Sequence, residues 1–262
     1  MKRLLLVFAH PDDESFTAAG TIAKYRKAGW EVTLVCATHG EKGGAGPYAP
    51  VSSQKLGAIR QKELEEAAAV LGISHMILLD YKDGKLAKLE AGELEDILYK
   101  KMEETIPDCI ITFDTTGVSN HPDHIKISYA TTFAFQKYAA WVEDQLRLRS
   151  TITTDVLPKL YYACMPESVA AFLKKNKNIP TQSFGKPWTG TADKLVTTVI
   201  DISRFTGLKR KALLSHRSQQ VDVQRFLSFA ANPLAKHEYF ILRMHGTTEV
   251  FMGKNDRVFN KL

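Results

Sequence analysis

The sequence predicts an α/β fold: a mainly parallel sheet with helices on both faces, followed by a C-terminal elaboration. Three observations predict it. Short apolar runs alternate with longer helix-patterned segments through residue 141. Glycines close two of those helical segments, at Gly29 and Gly72. Clusters of ionisable residues lie beyond the first and fourth apolar runs, AHPDDE at 9–14 and HPDH at 121–124.

The elements follow in order. KRLLLVFA (2–9) reads as a buried strand and SFTAAGTIAKYRKAG (15–29) as a helix. WEVTLVCAT (30–38) is the next strand, and KLGAIRQKELEEAAAVLG (55–72) a strongly helical segment. HMILLD (75–80), ELEDILYKKMEET (93–105) and DCIITFD (108–114) continue the alternation as strand, helix and strand. Pro122 fits the first turn of a helix running to Trp141. Beyond it the rhythm loosens. KLYYACM (159–165) and KLVTTVIDI (194–202) look like strands, and SRFTGLKRKALLSH (203–216) like a helix. NKNIPTQSFGKPWTG (176–190) reads as a loop, and HEYFILRMH (237–245) as a strand or a short helix.

The chain has 262 residues, 44% hydrophobic and 24% charged, as one sizeable domain needs. MKRLLLVFA superficially resembles a leader, but HPDDE stands where a small-residue cleavage site belongs. No stretch approaches the roughly 18 apolar residues of a membrane span, so a cytoplasmic protein without a span is expected. Cys36, Cys109 and Cys164 lie far apart among apolar neighbours, which argues against a disulfide framework or thiolate zinc site and predicts core residues. Residues 1–141 carry 16 Lys+Arg against 19 Asp+Glu, and residues 142–262 carry 19 against 10. The basic second half slightly favours an anionic substrate. Its charges are scattered without a basic–aromatic motif, which argues against nucleic acid.

Ligands of open parallel sheets bind beyond the carboxyl ends of the strands. His10, Asp12 and Asp13 stand at that end of the first strand, and HPDH follows the fourth. Neither cluster is a nucleotide loop: the first turn lacks G-x-G-x-x-G, and GEKGGAG lacks the Lys-Ser/Thr of a P-loop. Carboxylates packed this closely repel one another unless a cation holds them. Two imidazoles and a carboxylate make a three-ligand metal site that leaves positions for water and substrate. A bound divalent metal lowers the pKa of its water toward about 7. Hydrolysis further needs a base for the water's proton and an acid for the leaving group. His10, Asp12, Asp13, Glu14, His121, Asp123 and His124 suffice for all of these roles. Taken singly, each cluster has a simpler account as a turn or a helix start with Asp123 in its first turn.

AHPDDE after the first strand, with HPDH roughly 110 residues later, resembles the LmbE/PIG-L family of zinc-dependent N-deacetylases. Those enzymes remove acetyl groups from N-acetylglucosamine-containing molecules on a Rossmann-like fold. SHRSQ at 215–219 is similar to the H-x-S-Q segment of the branch acting on glucosaminyl thiol precursors. The resemblance implies a single domain over 1–262, with 1–141 as the Rossmann-like half and 142–262 contributing to the substrate pocket. It implies His10, Asp13 and His124 as ligands of one divalent metal, zinc foremost, with Fe2+, Co2+ and Mn2+ suited to the same donors. Asp12 would be the base that activates the metal-bound water. His121, as imidazolium, would stabilise the oxyanion or protonate the departing amine, with Asp123 orienting or tuning it. The substrate would be a small amino sugar, and family members often assemble as homo-oligomers.

Around this centre, Arg60 would bind a sugar hydroxyl or an anionic aglycone, the alternative being an i,i+3 pair with Glu63. His216 would complete the substrate pocket, with Gln219 a weaker candidate. Glu14 belongs at the following helix start. Residues 39–53 suggest a substrate lid. Trp188 either anchors its loop or stacks on sugar. His39 is not expected as a ligand, and His75, His237 and His245 are expected to be structural. The leading function is N-deacetylation of an N-acetylglucosamine conjugate. An amidase cleaving glucosaminyl thiol conjugates is the alternative. Keeping both base and acid argues against a non-catalytic binding module, and a metallophosphoesterase would want two metals and more ligands.

Overall fold

The computed structural model describes residues 1–148, 156–229, 232–250 and 260–262. The first half alternates as expected: β1 (Arg3–Phe8), α1 (Asp13–Thr17), α2 (Ala19–Lys27), β2 (Glu31–Thr38), α3 (Ser53–Leu71) and β3 (His75–Tyr81). It continues with α4 (Glu93–Thr105), β4 (Cys109–Phe113), the short α5 (Gly117–Asn120) and the long α6 (Pro122–Leu148). The second half holds β5 (Lys159–Cys164), α7 (Glu167–Lys175), β6 (Gln182–Ser183), β7 (Lys186–Pro187) and β8 (Thr198–Asp201). It ends with α8 (Thr206–Ser215), α9 (Gln220–Phe229), β9 (His237–His245) and β10 (Thr248–Glu249).

The main sheet runs β10-β9-β5-β4-β1-β2-β3, with β8 also pairing to β9. Strands β3, β2, β1, β4 and β5 are mutually parallel, whereas β9 is antiparallel to β5, β8 and β10. Leu4 to Phe8 are buried on both sides of the chain, the continuous apolar run that a central parallel strand requires. Helices α2, α3 and α8 pack together as one layer, and α4 packs on α6 in the other. Strand order turns back between β1 and β4, which opens a crevice at their carboxyl ends. Both ionisable clusters leave the sheet there.

Several local expectations are corrected. The helix expected over 15–29 is two helices, broken at Ala18 (φ −138°, ψ 7°). Of the two readings of HEYFILRMH the strand holds, as β9, whereas only Thr198–Asp201 of KLVTTVIDI is strand. The loop at 176–190 contains the β6–β7 ribbon, while α7 and α9 had no counterpart in the sequence reading. Cys36, Cys109 and Cys164 are free and buried, as expected. The main apolar core takes Leu5, Phe8, Ile110 and Phe135 from the first half and Tyr161, Ile200 and Phe240 from the second. No helix among the described residues is long and apolar enough to cross a membrane.

Candidate active site

The turn after β1 builds the first side of the site. Asp12 adopts a left-handed conformation (φ 105°, ψ −25°), strained for a residue with a Cβ. That turn puts the His10 N–H on Asp13 Oδ2 at 2.8 Å and the Asp12 N–H on Glu14 Oε2 at 3.1 Å. The second side begins after β4. Gly117 (φ 64°) brings the chain so close to His124 that an added Cβ would lie 2.7 Å from the His124 Cβ. His124 Nδ1 donates to the Gly117 carbonyl at 3.1 Å, and its ring stacks on Phe113 at 4.1 Å and 5°. The Nδ1 bond leaves the Nε2 lone pair free to ligate.

The turn of β1 and the start of α6 thereby converge. His10 Nδ1 lies 3.0 Å from His124 Nε2 and 3.6 Å from Asp13 Oδ2, and His124 Nε2 lies 3.3 Å from Asp13 Oδ1. His10, His121 and His124 also offer donor atoms within 4.8 Å of one another, as do His10, Asp83 and Asp123. Burial would lower the His10 pKa, but Asp123, Asp13 and Asp83 together raise it well above the ordinary histidine value. Burial would raise Asp13, but His124 and His10 hold it well below the usual carboxylate range. Burial pushes His124 down to about 4 despite Asp13, so that ring is neutral with its lone pair available. Buried imidazoles and carboxylates this close call for a cation among them, and the donor set fits a divalent metal.

Asp12 stands apart from these donors. Its Oδ2 lies 3.0 Å from Arg60 Nη2, and burial pushes its carboxyl up to about 7 against the pull of Arg60. Arg60 is itself buried; it donates to the carbonyl of Pro11 and, at 2.7 Å, to that of Gly40. Its two Nη atoms are bound to the chain while Nε has no partner, and Glu63, the partner its spacing suggested, instead accepts from Ser218 N–H at 2.8 Å and Ser218 Oγ at 2.6 Å. Arg60 thus braces Asp12 and also lines the cavity.

Asp123 is fully buried. Its carboxylate accepts from Gly84 N–H at 2.6 Å and Leu86 N–H at 3.1 Å, and lies 3.5 Å from His10 Nε2. Its backbone N–H, not its carboxylate, meets His121, at Nδ1 and 3.1 Å. An acceptor Nδ1 places the proton of a neutral ring on Nε2, and burial together with His10 lowers the His121 pKa. With Nδ1 accepting, a neutral ring offers Nε2–H as a donor. Asp83 is a residue that sequence reasoning missed: its Oδ1 lies 3.1 Å from His10 Nε2, and its Oδ2 accepts from Lys42 N–H at 2.9 Å. Its one signal was the D-G turn just past the third strand.

His216 does not reach the cavity. It is buried with Nε2 on Glu14 Oε1 at 2.9 Å, so it supports the AHPDDE turn from behind. Glu14 opens α1 as expected, fully buried, and also accepts from Ser15 Oγ. Gln219 donates to the Gly44 carbonyl at 2.7 Å and thereby ties down residues 39–53. His39 pairs with Asp80 and His75 with Glu31, both away from the centre, whereas His237 unexpectedly lines the cavity. Trp188 anchors its loop through Nε1 to the Val118 carbonyl at 2.6 Å and also lines the cavity.

The cavity itself holds about 740 Å³, with His10, Asp12, Asp13, His121 and His124 at one end. Such a crevice at a sheet switch point, with a candidate metal centre in it, defines a small-molecule enzyme of the α/β class. Residues 5–135 match the family described as PIG-L: GlcNAc-PI de-N-acetylase. A 1D-myo-inositol 2-acetamido-2-deoxy-alpha-D-glucopyranoside deacetylase of Saccharomonospora viridis is 30% identical over 266 residues, covering 91% of this chain and 94% of the relative. A probable N-acetyl-alpha-D-glucosaminyl L-malate deacetylase 2 of Bacillus anthracis is 41% identical over 124 residues, covering 47% of this chain and 54% of the relative. The N,N'-diacetylchitobiose deacetylase of Pyrococcus horikoshii shares the fold with a TM-score of 0.63 and 24% identity, over 94% of this chain and 84% of that one. The chain belongs to the PIG-L family.

Proposed function

We propose that this protein is a metal-dependent hydrolase that removes the N-acetyl group from an N-acetylglucosamine conjugate, releasing acetate and the free amine. The observation that carries the proposal is the division within AHPDDE. Asp13 faces His10 and His124, while Asp12, one residue away, is held on Arg60 and stays free to take a proton. Family membership and the names of the inositol-linked and malate-linked relatives support the substrate class.

His10, Asp13 and His124 would hold the metal, and zinc suits two imidazoles and a carboxylate. When bound, a divalent metal supplies Lewis acidity and makes water nucleophilic near neutral pH. The chain does the rest. Asp12 accepts the proton of the attacking water, its carboxylate aimed by Arg60. His121 donates its Nε2–H toward the carbonyl oxygen as negative charge grows there. Asp12 then returns its proton to the departing nitrogen, since an amine anion is a very poor leaving group. Asp83 and Asp123 face the His10 ring on its Nε2 side.

The test is release of primary amine from N-acetylglucosamine and from its inositol-linked, malate-linked and phenyl conjugates. Release from at least one is expected. No release from any of them by metal-loaded protein would overturn the proposal.

A further inference from the structure

The far end of the cavity is apolar. Beyond the histidines its walls are Phe16, Leu173, Phe226, Phe229, Met165 and Trp188. A second cavity of about 160 Å³ shares all six of these side chains, so the apolar arm continues past the main chamber. Phe16 joins the two regions. It follows Asp13 by three positions and meets the Phe226 ring edge-on at 5.5 Å. Val169, Leu173 and Phe229 form a small apolar cluster separate from the main core, with Met165 packed against it, so the cavity cuts along this second cluster.

Of the described Lys and Arg of the basic half, Lys209 and Arg225 line these two cavities, and each is paired with a carboxylate. Lys209 lies 2.7 Å from Glu238 Oε1 and 5.2 Å from the Phe226 ring centre. Arg225 pairs with Asp222 at 3.1 Å, and Arg217 with Glu66 at 2.7 Å. A carboxylate or phosphate placed among the phenylalanines would lose its hydration without gaining a partner. An apolar group there would instead remove aromatic surface from water at no such cost.

We propose that the arm binds an apolar, preferentially aromatic, substituent carried by the amino-sugar substrate, so that the substrate is a hydrophobic conjugate and not an anionic one. The inference rests on the deacetylase reading for the position of the sugar, but its test does not depend on turnover. The substituent could sit on the anomeric oxygen or extend the acyl group, and the two sources are separable.

Binding to the metal-loaded protein would be measured by calorimetry for the methyl and phenyl glycosides of N-acetylglucosamine in both anomers, for N-phenylacetylglucosamine, and for malate-linked N-acetylglucosamine. Amine release would be recorded in parallel. The phenyl glycoside or the phenylacetyl compound is expected to bind about tenfold tighter than the methyl glycoside, as burial of one ring supplies. Which of the two gains identifies the source. Phe226→Ala should shrink that ratio, and the wild-type comparison stands even if the variant fails to fold. Equal affinity of the methyl and aryl compounds, or tightest binding of the malate conjugate, would overturn the proposal. Aryl preference without amine release from any compound would support the arm and count against the deacetylase reading.

Discussion

Arg60 Nη2 lies 3.0 Å from Asp12 Oδ2 while the same guanidinium donates to the Pro11 and Gly40 carbonyls. One cation therefore clamps the turn after β1, the loop after β2 and the proposed base. Asp12→Asn removes the proton acceptor but not Asp13, His10 or His124. Turnover should fall by about 10²–10⁴ with metal stoichiometry unchanged. Amine release and metal analysis on the same preparation check this, and an intact rate would remove Asp12 from the base role.

Arg60→Lys keeps the charge but loses the planar fork that spans three acceptors. Misplacing Asp12 should lower kcat by up to about 10²-fold with little change in KM. Steady-state kinetics separate the two parameters. A rise in KM at constant kcat would instead mark Arg60 as a substrate clamp.

His216 supports the AHPDDE turn through Glu14, and its titration gives that support a pH signature. Burial would lower its pKa, but Glu14 outweighs burial and raises it. The ring therefore takes up a proton on folding. Its stabilisation is fully present below the unfolded value of about 6.5 and is lost as pH rises through the higher folded value. The stability difference between wild type and His216→Gln should shrink across that window. Denaturant titrations at several pH values check it, and a constant difference would contradict the account.

Lys209 and Glu238 form a buried pair 2.7 Å apart, and Glu238 also accepts from Gly20 N–H at 3.0 Å and Thr21 N–H at 2.7 Å in the first turn of α2. Lys209→Met leaves that buried carboxylate with backbone donors alone. The loss should be about 3 kcal/mol, read as a lower denaturation midpoint. An unchanged midpoint would show that the α2 N-terminus alone satisfies Glu238.

What the sequence disclosed depended on range. β1, β2 and β4 are short runs rich in apolar residues, and AHPDDE and HPDH stand out locally because neither has the composition of an ordinary turn. The convergence of His10 and His124 followed from parallel topology alone. Interactions set by distant partners were not legible. Arg60 carries a local i,i+3 pattern to Glu63, yet its acceptors belong to the turn after β1 and the loop after β2. Asp83 reaches His10 from the end of a different strand, with only a D-G turn to mark it. The break at Ala18 follows a Thr17 hydroxyl that donates to the Asp13 carbonyl at 2.6 Å, a contact made by the site's own turn. Helices α7 and α9 are short, and their apolar faces make sense only around the second cluster they share.

The central claim is that a metal held by His10, Asp13 and His124 is required for amide hydrolysis. The most direct measurement follows amine release from an N-acetylglucosamine conjugate by native protein, by chelated protein and by chelated protein titrated with zinc, with His124→Ala carried in parallel. The account predicts loss on chelation, recovery saturating at one equivalent, and neither binding nor recovery in the variant. Full activity in chelated, metal-free protein would contradict it.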